Sequence, residues 1–321
     1  MKKSVFILLA TVCLASAAAF AADGYPSRPV RMIVPFAPGG PTDTIARTLA
    51  QKLTERLGQQ VVVDNRAGAG GNIGMGLAAG ANPDGYTILV VSSSFVVNPS
   101  LYKNIPYDPF KSFAPISNVA ASPNVFTVHP SVPAKSVGEM IELAKKDPKK
   151  YGFATPGIGT TPDLSARLLA LTAKIDVPAI PYGGAGPAVA AVVGNQVPLG
   201  CTALPPTTPH IQAGRLRALA VTSARRSQAL PAVPTMAEAG FKGQEADTLQ
   251  GVLAPAATPK AITARLHAEI VKIMALPDVR ERVEGLGFDI VASSPQEFAA
   301  QVKAEVAKWG KVIREAGVQV N

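Results

Sequence analysis

The chain has 321 residues, 47% hydrophobic and 6% aromatic, with 31 Lys and Arg against 22 Asp and Glu for a formal charge of +9. Its basic residues are scattered rather than clustered and few aromatics accompany them, which speaks against nucleic acid and suits small anions better. A chain of this length is where one core tends to split into two, so two lobes are expected.

The first residues, Met1-Lys2-Lys3, an apolar run from Val5 to Phe20 and then Ala19-Phe20-Ala21, have the order of a secretory signal peptide cleaved near Ala21. The run is shorter than the ~20 residues of a membrane span, and Ala10-Thr11-Val12 before Cys13 lacks a lipoprotein pattern. Removing residues 1–21 takes away Lys2 and Lys3 and no acid, so the charge falls from +9 to +7 and Cys201 is the one cysteine left. No intramolecular disulfide is then available, and ordinary apolar cores must hold the exported chain.

Val30–Phe36, Gln60–Asp64 and Tyr86–Val91 are short β-branched runs that read as strands. Between the first two, Thr42–Gly58 carries Ile45, Ala46, Leu49, Leu53 and Leu57 at helical spacing, which implies a parallel βαβ layer. Such sheets bind ligands at the carboxyl ends of their strands. VPFAPGGPTD sits at such an end: Gly39 and Gly40 allow a sharp turn, and the helix start exposes unpaired N–H groups that suit an anion. Asp43 has two readings, a first-turn carboxylate complementing its helix dipole or a polar group orienting water in a cleft.

Gly68–Gly80 reads as a turn leading into a tightly packed Gly/Ala helix; its G-x-G-x-x-A precedes a strand instead of following one, which is the wrong order for a dinucleotide site. Ser92-Ser93-Ser94 ends a strand without a local base, and no G-x-S-x-G elbow is present. Ser117–Pro133, rich in Pro, Ser and Val, reads as an extended crossover between lobes. Lys145-Lys146 and Lys149-Lys150 around Pro148 suit a solvated helix end.

The strand-turn-helix pattern then returns twice. Lys150–Thr155 reads as a strand, Pro156–Thr161 as a loop and Pro162–Lys174 as a helix; Val177–Tyr182, Gly183–Gly186 and Pro187–Val193 repeat the order. Gly152–Gly157 gives G-x-x-x-x-G, but Ile158 occupies the place of a Walker lysine. None of these loops contains Lys or Arg, so an anion there is held by N–H groups, hydroxyls and water. Three or four such bonds, less immobilisation, set an affinity near micromolar, about 8 kcal/mol. Each turn alone also fits a plain strand-to-helix connection; three in two lobes would converge on one cleft.

The polar stretch Phe241–Thr248 before apolar Leu249–Ala254 reads as the return crossing, followed by Lys260–Leu276, Pro277–Leu286 and a helix opened by the capping box Ser294-Pro295-Gln296-Glu297. Lobe one is therefore expected over 22–122 and 246–321, and lobe two over 123–245, with the two crossings as a hinge. His129, His210 and His267 are isolated from other ligand types, so no metal is expected.

VPFAPGGPTD, VVVDNRAGAGGNIG, NPDGYTILV, IPYGGAGPA, HIQAGRLRALAVTSARRSQALPAVPTMAEAGF and APAATPKAITARL together resemble the Bug family, extracytoplasmic receptors of tripartite tricarboxylate transporters, over essentially the whole mature chain. The resemblance implies a type II periplasmic binding-protein fold, two α/β lobes joined by two crossing segments with the ligand cleft between them. It also implies a small carboxylate held through loops and water. Carried over, the first-lobe loop gives Phe36, Pro38, Gly39, Gly40 and Asp43, and the second-lobe loop gives Thr155, Gly157, Gly159, Thr160 and Thr161; the family's P-Y-x-G-x-x-P-A matches Pro181–Ala188. Thr42, Ser92, Ser93, Tyr182, Gly183 and Thr202 complete the candidate ligand-binding set. Many relatives have His where this chain has Asp163, an Asp-Asn pair where it has Thr202-Ala203, and Trp where it has Leu249, so a less acidic and differently shaped cleft floor is expected.

The expected protein is a periplasmic, monomeric binding protein without cofactor or catalytic residues, capturing a dicarboxylate or an aromatic acid for the membrane subunits of a transporter. A ligand-sensing partner of a membrane sensor, or a cleft enzyme, are the alternatives.

Overall fold

The computed structural model describes residues 24–316, so the expected signal peptide over residues 1–21 lies outside the described residues. Strand β1 (Val30–Val34) leads into helix α1 (Pro41–Leu57), whose Ile45, Leu49, Leu53 and Leu57 form one buried stripe. Pro41 lies at its first positions, where no N–H is needed, and Gly58 in the left-handed region closes it by donating its N–H to Thr54 O. Strands β2 (Val61–Asn65) and β3 (Thr87–Val91) flank β1 in parallel, in the registers Val30↔Val61 and Arg31↔Thr87. The Gly/Ala helix is α2 (Asn72–Ala79); a Cβ on Gly74 would stand 2.8 Å from Pro35, so only glycine lets it approach β1 so closely. A helix not read from the sequence, α3 (Ser94–Leu101), follows β3 directly and contains Pro99.

The expected crossover is a 16-residue strand, β4 (Phe113–Val128), that starts earlier and ends sooner than Ser117–Pro133. Beyond it lie α4 (Val137–Lys146), capped by Ser136 Oγ accepting from Glu139 N at 3.1 Å, then β5 (Phe153–Thr155), α5 (Thr161–Ala173), β6 (Ala179–Pro181) and α6 (Ala185–Val193). Two differences have local causes. Pro148–Lys150 turns as a short 3₁₀ segment, so β5 begins at Phe153 rather than Lys150. Gly184 precedes α6 at φ +148°, so the helix starts at Ala185 and carries Pro187 in its first turn. Strand β7 (Leu199–Ala203), helix α7 (Leu204–Gln212) and strand β8 (Arg217–Val221) complete this lobe.

The chain returns through β9 (Asp247–Pro255) to α8 (Lys260–Met274), α9 (Pro277–Gly285), β10 (Asp289–Ile290) and α10 (Pro295–Ala316). The capping box forms: Ser294 Oγ accepts from Glu297 N at 3.2 Å, and Glu297 Oε2 accepts from Ser294 N at 2.8 Å. Strand order is β2-β1-β3-β9-β4-β7-β5-β6, with β8 and β10 also paired to β4. Along β4 the partner changes: Phe113–Pro123 pair antiparallel with β9, and Asn124–Val128 with β7. One strand thus belongs to both lobes, and β9 runs beside it.

Each lobe has its own apolar core. In lobe one, α1 and α8 cover one face of the sheet (Leu49, Leu53, Leu266 and Ile270 against Val34, Val90 and Val252), and α2, α3 and α10 cover the other (Phe95, Phe298 and Trp309 against Leu89 and Leu253). Lobe two packs Met140, Leu169 and Leu199 around the edge-to-face pair Phe126–Phe153. Each such side chain contributes about 1.5–3 kcal/mol through burial. Cys201 is part of this core, and burial pushes its thiol well above the usual range.

Candidate functional site

The turns β1–α1, β5–α5 and β6–α6 face one another across a narrow gap. Its walls are Phe36, Gly40, Pro41, Thr42, Ser92, Pro156, Thr160, Thr161, Pro162, Ala185, Ala203 and Thr248. Room for the centre of a water molecule amounts to only about 30 Å³, because the lobes touch. A Cβ on Gly186 of lobe two would stand 2.9 Å from Pro38 O of lobe one, and one on Gly40 would stand 3.8 Å from Ala185 Cβ. At the far side Gly159 packs on Leu101 and Val97 of α3. A hydroxyl bond joins Thr161 Oγ1 to Thr248 Oγ1, whose chain continues to Asn124 Oδ1 at 2.9 Å and from Asn124 Nδ2 to Ser165 Oγ at 3.2 Å. Closure is therefore secured by backbone contact and by a buried polar chain.

The first and second turns are built alike. Gly39, at φ +85°, donates its N–H to Asp43 Oδ2 at 3.0 Å, and Arg47 Nε donates to the same oxygen at 2.8 Å. Gly159, at φ +76°, donates to Asp163 Oδ2 at 3.1 Å, and Arg167 Nε donates there at 2.9 Å. The spacing is G-x-x-x-D-x-x-x-R in both, so one carboxylate per lobe ties its glycine turn to the first helical turn while an arginine one turn on neutralises it. Further donors complete each staple: Asn65 Nδ2 to Asp43 Oδ1 at 3.0 Å, and Thr155 Oγ1 to Asp163 Oδ1 at 3.1 Å. Burial pushes the Asp43 carboxyl up, but the bonds from Arg47, Gly39 N–H and Asn65 outweigh it and hold the group below its ordinary value. Of Asp43's two readings, the geometry provides the first-turn carboxylate; its oxygens are occupied by its own loop. Asp163 does the same and is fully buried, so the residue that departs from many relatives shapes the loop from behind.

Phe36, Gly40, Thr42, Ser92, Thr160 and Thr161 of the candidate set border the gap. Pro38 and Gly39 form the contact with Gly186 at its closing edge. Thr155 and Gly159 serve Asp163, and Gly157 O accepts from Thr160 Oγ1 at 2.8 Å. Tyr182 N donates to Thr155 O at 2.8 Å and its side chain packs on the Ala188–Val189 cluster, while Gly183 faces open space. Ser93 Oγ accepts from Leu249 N at 3.0 Å, and Thr202 Oγ1 bonds Thr207 Oγ1 at 2.8 Å; both are buried and neither borders the gap. Sequence reasoning missed Pro41, Pro156, Pro162, Ala185, Ala203 and Thr248. The two prolines of the first helical turns were legible as N-terminal markers; Thr248 arrives on a crossing strand, which carries no local signal.

Among the described residues no charged side chain borders the gap. Five hydroxyl side chains stand around it, Thr42, Ser92, Thr160, Thr161 and Thr248, of which Thr161 and Thr248 bond each other and Thr160 donates to Gly157 O; the starts of α1, α5 and α6 meet there, and Phe36 and prolines make its walls mainly apolar. That combination suits an anionic head at the helix starts and an apolar body between them. Ser92 Oγ meets Ser94 Oγ at 3.2 Å rather than a base. His129 bonds Ser131 and His267 bonds Ser293 O, both outside the gap. Among the described residues no three His, Cys, Asp or Glu are grouped to hold a metal, and no helix is long and apolar enough to cross a membrane.

Residues 45–318 match the family model described as tripartite tricarboxylate transporter family receptor. The chain is 39% identical over 316 residues to Protein BugT of Bordetella pertussis, covering 98% of this chain and 96% of that one. Among solved structures, periplasmic binding protein BugD is 40% identical with a TM-score of 0.89, covering 92% of this chain and 99% of that one. R. palustris Rpa4515 with adipate is 34% identical with the same score and the same coverage.

Proposed function

The chain belongs to the family of tripartite tricarboxylate transporter receptors, and on that premise we propose that it captures a small organic carboxylate between its lobes for the membrane subunits of such a transporter. The observation that carries this is the meeting of three helix starts around a hydroxyl-lined gap without a charged side chain. A carboxylate there receives N–H and O–H donors in a site that is nearly dry, where charge-assisted bonds are strongest. The relative whose structure contains adipate supports a dicarboxylate; on our reading one carboxylate meets the first-lobe turn and the other the second. An aromatic acid, its ring between Phe36 and the prolines, is the other class that fits.

The mechanism is a population shift. Lobes of residues 22–122 with 246–321, and 123–245, rotate about β4 and β9, and a ligand bridging both turns favours the closed arrangement. The protein acts in the periplasm as a monomer after cleavage near Ala21, binding without chemical change to the ligand. A thermal-shift panel of dicarboxylates and aromatic acids tests this: ligand at about 100 Kd adds about 2.7 kcal/mol. A panel in which no carboxylate raises the melting temperature refutes it.

A further inference from the structure

Below the gap, the polar side chains do not end at its wall. Thr248 borders the gap, and alternation along β9 puts Gln250 on the same face of the sheet. Ser122 lies directly opposite Thr248 in the antiparallel register, and so shares that face too. On the other side β3 pairs Val91 with Gly251, which brings Ser92, another wall residue, beside Gln250. Farther from the gap this face is the apolar core of Val90, Val252 and Ala254, covered by α1 and α8. The core thus gives way to polar side chains where the helix start and the gap begin.

Gln250 and Ser122 are fully buried, yet Gln250 Nε2, Gln250 Oε1 and Ser122 Oγ have no hydrogen-bond partner among the described residues. Buried polar atoms are nearly always paired, and leaving one unpaired is destabilising. Three such atoms on adjacent strands, directly behind the wall residues Thr248 and Ser92, mark a place for a polar group that reaches past that wall. We infer that Gln250 and Ser122 form a floor that recognises a hydroxyl on the carboxylate ligand, so that the preferred ligands are hydroxy acids. This rests on the carboxylate capture proposed above.

The chemistry of the donors decides between a hydroxyl and a further carboxylate. The carboxamide of Gln250 offers donors and an acceptor, and the hydroxyl of Ser122 offers one of each. A ligand hydroxyl donates to one and accepts from the other. A carboxylate only accepts, so it would leave Gln250 Oε1 unpaired and face it with like charge. It would also be buried with no cation among Ser92, Ser122, Asn124, Thr248 and Gln250, which is strongly unfavourable.

The test is calorimetric titration of the mature chain with matched pairs: succinate and malate, glutarate and 2-hydroxyglutarate, phenylacetate and mandelate. For at least one pair the hydroxy acid should bind about tenfold or more tightly. In Gln250→Leu that ratio should fall to about one. The free variant should melt no lower than wild type, since an apolar side chain of similar volume replaces unpaired polar atoms. Ser122→Ala gives an independent loss of the ratio should Gln250→Leu not fold. A ratio near one for every pair that binds, or one that survives in both variants, overturns the floor assignment while leaving carboxylate capture standing. Binding by no member of any pair likewise overturns the floor assignment, and carboxylate capture then stands or falls by the thermal-shift panel.

Discussion

Replacing Gly159 by Ala separates closure from folding. Gly159 lies in lobe two at φ +76°, and a Cβ there would overlap Leu101 Cδ2 of lobe one, with Leu101 Cγ at 3.3 Å and Val97 Cγ1 at 3.7 Å. Two penalties follow, and they act on different states. The left-handed backbone costs an alanine about 1–2 kcal/mol whether the lobes are apart or together. The overlap exists only when they are together; Leu101 is 3% exposed and has little room to yield, so overpacking costs the closed form about 1–3 kcal/mol. At 1.4 kcal/mol per factor of ten, Kd should rise about 5- to 140-fold. The free protein should lose only the backbone term, a fall in melting temperature of about 2–8 °C. Calorimetric titration with a carboxylate that stabilises the wild type reads the first quantity, and a thermal melt without ligand reads the second. Leu101→Ala added to Gly159→Ala removes the overlapping atom and should restore affinity to within a few-fold, although the free protein becomes less stable still. An unchanged Kd in the single variant, or no recovery in the double, refutes closure at this contact.

Asp163→Asn breaks the second-lobe staple, leaving Arg167 without its carboxylate and Gly159 N–H with a weaker acceptor. Because Asp163 is fully buried while Arg167 is partly solvated, the loss should be about 1–3 kcal/mol by urea unfolding, larger than for Asp43→Asn, whose arginine is 53% exposed. Equal losses would contradict the difference in burial. Asp43, held below its ordinary value, contributes stability above the unfolded carboxylate range, and that contribution is lost as pH falls through its lower folded value; Asp43→Asn should therefore flatten the acid limb of a melting profile. Asp247 behaves oppositely. Burial pushes its carboxyl up to about 6, with Asp289 and Glu305 adding and Lys308 opposing. Its contribution is full below the unfolded value of 3.8 and lost as pH rises through about 6, so between pH 7 and pH 4.5 the wild type should gain stability relative to Asp247→Asn. The residue keeps solvent contact, and screening holds the gain below about 1 kcal/mol. A gain of the opposite sign rules out this cause.

The elements legible in the sequence are those whose signals are local. β1, α1 and β2 follow from alternating and helical periodicity, and the Ser294–Glu297 box marks the start of α10 within one residue. α3 and α7 escaped because both contain proline; α7 opens Leu204-Pro205-Pro206 and carries Pro209, so its helicity rests on packing. β7 and β8 are five residues each and owe their form to pairing with a distant β4. The site divides likewise. Gly40, Thr42, Thr160 and Thr161 stand on turns announced by Gly and Pro, whereas Thr248, Ser122 and Gln250 come from the crossing strands. The staple was present in the letters, GGPTDTIAR beside GTTPDLSAR, but its meaning depends on two arginines that periodicity assigns only to solvated helix faces.

The gap walls, without charge, have a further consequence. A cleft that gripped its ligand with arginine or lysine would weaken steadily as ions accumulate, because counterions compete for the same groups. Here the charged groups on the two glycine turns are Asp43–Arg47 and Asp163–Arg167, each pair cancelled within its own turn. If the proposed capture of a carboxylate holds, its half-saturation point stays put as the surrounding medium passes from dilute to saline, so the solute level at which the lobes fill is set by geometry rather than by salinity.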